Sequence, residues 1–137
     1  MYYSWAIMPD YFTALVCQYS GAINSEQAER YARSFVDAWY FTLNKKDQDK
    51  LLILLPDYLK PKKNNIFASS RKPKLNGAQS NIFISRISAD LAKTGDDESL
   101  QIISGLMKSL KIISSHEQKF AYSNLLDSRL HEVFVRS

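Results

Sequence analysis

An all-α fold is the class this sequence predicts, as one compact bundle of about six helices. Three observations predict it. Apolar residues recur at spacings of three and four through several segments. Capping residues stand ahead of those segments, and the four Gly and four Pro fall mostly between them. Seven Phe, eight Tyr and two Trp in 137 residues, with 45% apolar composition, give the chain enough to bury.

The elements follow in order. Pro9 and Asp10 open a first helix, and Gly21 closes it just past Ser20. In "NSEQAERYARSFVDAWYFTLN", Asn24 or Ser25 is the N-cap, and Glu26 and Glu29 favour the positive end of the helix dipole. Ala28, Tyr31, Ala32, Phe35, Ala38 and Trp39 make its buried stripe, the clearest in the chain. Asn44 caps "KKDQDKLLILLPDYLK", in which the apolar run 51–55 predicts a helix buried on several faces. A five-residue buried strand is the alternative for that run, and Pro56 ends or kinks the element.

Beyond the middle of the chain, Ser80 or Asn81 caps "IFISRISADLAKTG", with Ile84, Ile87, Ser88 and Leu91 on one face and Gly95 as its stop. "DDESLQIISGLMKSLKIISS" follows with three acids at its start and Leu100, Ile103, Leu106, Met107, Leu110 and Ile113 in register. Ser115 and Gln118 have capping-box spacing and begin a last helix, whose stripe is Tyr122, Leu126, Leu130, Val133 and Phe134. The prediction is a single domain over 1–137, with three-helix halves 1–59 and 78–137 joined by a loop at 60–77. Eleven of the aromatics lie in residues 1–41, so an aromatic half is expected to pack against an aliphatic one.

Charge singles out the loop. Residues 60–77 hold Lys60, Lys62, Lys63, Arg71, Lys72 and Lys74 and no acid, whereas 1–59 hold five basic and seven acidic side chains and 78–137 hold seven of each. The net charge of +4 therefore belongs to one segment. The two readings are a solvated linker, kept on the surface and mobile by Pro61, Pro73 and mutual repulsion, and an arm for a polyanion or acidic protein. Ile66 and Phe67 are its only large apolar pair, either pinning it to the bundle or meeting a partner. The N-terminal Tyr2, Tyr3 and Trp5 form a second unusual cluster, either folded over the bundle or offered to a partner or a second copy of the chain.

Catalytic chemistry finds little footing. His116 and His131 stand 15 positions apart on one expected helix, about 22 Å at 1.5 Å per residue, too far for one site. His116 is expected to be exposed and His131 half buried. Cys17 sits near a helix C-terminus, where the dipole opposes a thiolate, so it reads as a small core residue. Asp96, Asp97 and Glu98 read as helix-starting acids rather than metal ligands, and they would repel phosphates if 87–107 were a helix-turn-helix. No metal, cofactor or catalytic residue is expected. The lone cysteine excludes an internal disulfide and suits a reducing cytoplasm. No apolar run reaches the roughly 18 residues of a membrane span, and no secretory pattern opens the chain. The sequence thus points to a non-enzymatic protein-binding factor: an adaptor, an inhibitor or immunity-type protein, or an accessory of a larger assembly. The alternative is an accessory nucleic-acid-binding protein working through the 60–77 arm.

Overall fold

The computed structural model describes residues 9–61, 79–91 and 96–137. Among them every regular element is helical, and they form an all-α bundle. The α-helices are α1 (Asp10–Ser20), α2 (Ser25–Thr42), α3 (Lys45–Leu54), α4 (Gln79–Leu91), α5 (Asp96–Ile112), α6 (His116–Ser123) and α7 (Ser128–Arg136). A single 3-10 turn, Asp57–Leu59, follows α3.

Local chemistry sets most boundaries. Gly21 takes φ +81° at the end of α1, a left-handed conformation that a side chain would strain. Asn24 and Asn44 each accept a backbone N–H through Oδ1, from Gln27 at 2.8 Å and from Asp47 at 2.9 Å. Ser115 and Gln118 make both hydrogen bonds of the capping box that opens α6. Helix α3 ends at Leu54, two residues before Pro56.

The two largest helix–helix interfaces, α1 on α5 and α2 on α4, both run between the halves of the chain. Aromatic and aliphatic stripes thus share one core. A chain of rings marks the junction: Phe83 lies 5.4 Å from Phe35, Phe35 5.7 Å from Trp39, and Trp39 5.5 Å from Tyr122, centroid to centroid. Such tilted pairs add to the stabilisation that burial alone gives. Around them Val16, Leu51, Ile87, Ile103, Leu106, Met107, Leu110 and Leu130 are fully buried.

Four expectations are corrected. The segment expected as one last helix breaks in two, because Asp127 turns its carboxylate to the N–H of Leu130 and starts α7 afresh. The run 51–55 is not covered all round: Leu51 and Leu55 are buried, whereas Ile53 is 81% exposed because no described element packs over that side of α3. His131 is exposed rather than half buried, since the α7 stripe is carried by Leu130 and Phe134. Helix α4 begins at Gln79, ahead of either expected cap. The expected stop at Gly95 lies outside the described residues.

Candidate functional site

Lys60 is the one member of the basic set among the described residues. Its Nζ lies 3.1 Å from Asp57 Oδ1, so part of its charge is matched within its own turn. Lys62, Lys63, Ile66, Phe67, Arg71, Lys72 and Lys74 lie outside the described residues, as do Tyr2, Tyr3 and Trp5. His116 and His131 are exposed on different helices, and Cys17 is half buried, its Sγ 3.6 Å from the carbonyl of Asn24. Among the described residues, no three His, Cys, Asp or Glu side chains converge as a metal site. No helix there is long and apolar enough to cross a membrane.

Helices α3 and α6 instead build a surface that the sequence did not announce. A cleft of about 330 Å³ lies between them, walled by Ile53, Leu54, Ala121 and Leu125, with Asp47 and Lys50 on its rim. A second, of about 370 Å³, lies towards the C-terminal end of α3 and is lined by Ile53, Leu54, Tyr58, Ile113, Gln118 and Tyr122. Ile53 and Leu54 belong to both, so together they form a ridge with a cleft on each flank. Phe120, next to Ala121 in α6, is 70% exposed.

Two hydrogen bonds hold this surface in shape. The Tyr122 hydroxyl donates to the carbonyl of Leu54 at 2.9 Å, and the Trp39 indole donates to the carbonyl of Leu125 at 3.1 Å. The first ties the ridge to α6, and the second ties the turn after α6 to α2. Burial pushes the Tyr122 hydroxyl well above its ordinary pKa, so it remains a donor. The ridge therefore stands on a rigid base rather than on a loop.

A larger cleft, of about 490 Å³, opens between α1 and α2, where Asp10, Glu26 and Glu29 face Arg30 and Arg33. Its charges are of both signs, and Arg33 and Glu29 pair at 2.8 Å. An i,i+4 pair of this kind is ordinary helix-surface chemistry. Within the apolar run 51–55 no residue type sets Ile53 apart, although it stands two positions from both Leu51 and Leu55, on the opposite side of α3.

Compared with known proteins, the chain matches no family model, no curated sequence and no solved structure.

Proposed function

We propose that this protein is a non-enzymatic protein-binding factor that meets its partner through the ridge and clefts of α3 and α6. The observation that carries the reading is Ile53, 81% exposed on a ridge between two clefts. Covering such a side chain recovers about 1.5–3 kcal/mol of apolar burial. A rigid aliphatic ridge beside fillable clefts has the anatomy of an interface centre, with charged residues kept to the rim. An adaptor, an inhibitor or an accessory of a larger assembly would each use such a face. A cytoplasmic setting accords with the single, half-buried cysteine.

The second reading is nucleic-acid binding by the arm. Six basic and no acidic residues across 60–77 support it. Affinity capture from the source cells separates the two readings. The parent chain should retain a protein after nuclease treatment, Ile53→Glu should lose it, and Ile23→Glu, altered at another exposed isoleucine, should keep it. Retention abolished by nuclease and by moderate salt, yet indifferent to Ile53→Glu, would favour the arm instead.

A further inference from the structure

We propose that α7 is a latch, which lifts from the bundle as a unit about residues 126 and 127 while the other helices stay folded. Its seat is small. Of the nine residues Ser128–Arg136 only Leu130 and Phe134 are buried, four positions apart on the face that rests on α5 and α4.

The two ends of α7 are held in different ways. Ahead of it, the Trp39 indole holds the carbonyl of Leu125 at 3.1 Å, so the chain as far as 125 stays with α2. Leu126 and Asp127, which follow, are only half-buried, and there the backbone can turn. At the far end one side chain makes the clasp. Lys111 of α5 donates to the carbonyls of Phe134 and Ser137 at 2.7 and 2.9 Å, and its Nζ stands 5.3 Å from the centre of the Phe134 ring. The hydroxyls of Ser104 and Ser137 meet at 3.3 Å, joining the same two helices.

Burial and the charges of Lys119 and Lys108 lower the pKa of Lys111, so the closed state holds this cation at a desolvation cost that opening relieves. A nine-residue helix is marginal in water by itself, so a lifted α7 melts and its amides exchange. Closed, α7 covers the apolar seat on α4 and α5; open, it leaves that seat to solvent. The latch thus gates access to the seat.

The test is hydrogen exchange of the full chain, repeated at low denaturant concentrations. Amides of 130–136 should exchange together, at least about tenfold faster than those of 103–110 in α5 and with a weaker denaturant dependence, as a sub-global opening does. Lys111→Met, which keeps the stem and removes the clasp, should speed α7 by about another tenfold and leave α5 unchanged. Ser104→Cys with Ser137→Cys, combined with Cys17→Ser, should lock α7 when oxidised, slow its amides to the α5 rate, and release it on reduction. Parent α7 amides that exchange at the α5 rate and with the α5 denaturant slope would overturn the latch. So would an oxidised lock that leaves them fast.

Discussion

The indole Nε1 of Trp39 donates a hydrogen bond to the carbonyl of Leu125 across 3.1 Å, joining residues 86 positions apart. Trp39 is fully buried between Phe35 and Tyr122, so one side chain links α2 to the turn that follows α6. Trp39→Ala removes that bond and leaves a cavity among rings. The expected cost is about 3–5 kcal/mol in chemical denaturation. A variant as stable as the parent would show that the junction between the halves lies elsewhere.

Gly105 lies where α5 crosses the end of α1. A Cβ there would stand 2.4 Å from the carbonyl oxygen of Tyr19 and 2.5 Å from the Cα of Ser20. Both are backbone atoms, which cannot swing aside. Alanine in mid-helix would otherwise be favoured by up to about 1 kcal/mol. The clash wins, and Gly105→Ala is expected to destabilise by about 1–3 kcal/mol or more. Gly21→Ala meets open space and costs only the strain of its positive φ, roughly 1–2 kcal/mol. Thermal melts of the two variants check the order.

What the sequence made legible follows from how far each interaction reaches. Asn24, Asn44 and the Ser115–Gln118 pair cap through bonds to residues three positions on, so they are readable locally. The break before α7 rests on the same kind of bond, from Leu130 to Asp127. It was masked because the apolar stripe runs on across it. Exposure of Ile53 and the close approach at Gly105 depend on which helix covers which face. No local pattern carries that information.

Alkaline pH should expose the role of Tyr122. Burial raises its pKa above the ordinary 10.0, and Tyr40 and Tyr58 shift the same way for the same first reason. Below pH about 10 the phenol keeps its proton in both states, and its contribution is fully present. Above that, the unfolded chain releases the proton first, while the folded one holds it for the bond to Leu54. Stability therefore falls as pH rises, by up to about 1.4 kcal/mol per pH unit for this group. Tyr122→Phe should flatten that slope and cost about 1 kcal/mol at neutral pH. An unchanged slope would contradict the assignment.

Helix α7 is held at both ends. Asp127 caps its start, and Lys111 of α5 donates to the carbonyls of Phe134 and Ser137 at 2.7 and 2.9 Å. Burial lowers the pKa of Lys111, with help from Lys119 and Lys108, so it holds these bonds at a desolvation cost. Asp127→Ala should cost about 1 kcal/mol, and Lys111→Met should fray the end of α7. Hydrogen exchange checks this through faster amide exchange confined to 128–137. Uniform loss of protection across α5 would instead make Lys111 a core support.

The central claim, that the α3–α6 ridge is a protein-binding face, is tested most directly by a photo-crosslinking amino acid at position 53, with position 23 as control. Both sites are more than 80% exposed, at 81% and 82%, so both variants should fold and both probes should face solvent. Illuminated in the source cells, the probe at 53 is predicted to give discrete protein adducts, while the probe at 23 gives none. Absence of adducts at 53, or the same adducts from both positions, would contradict the account.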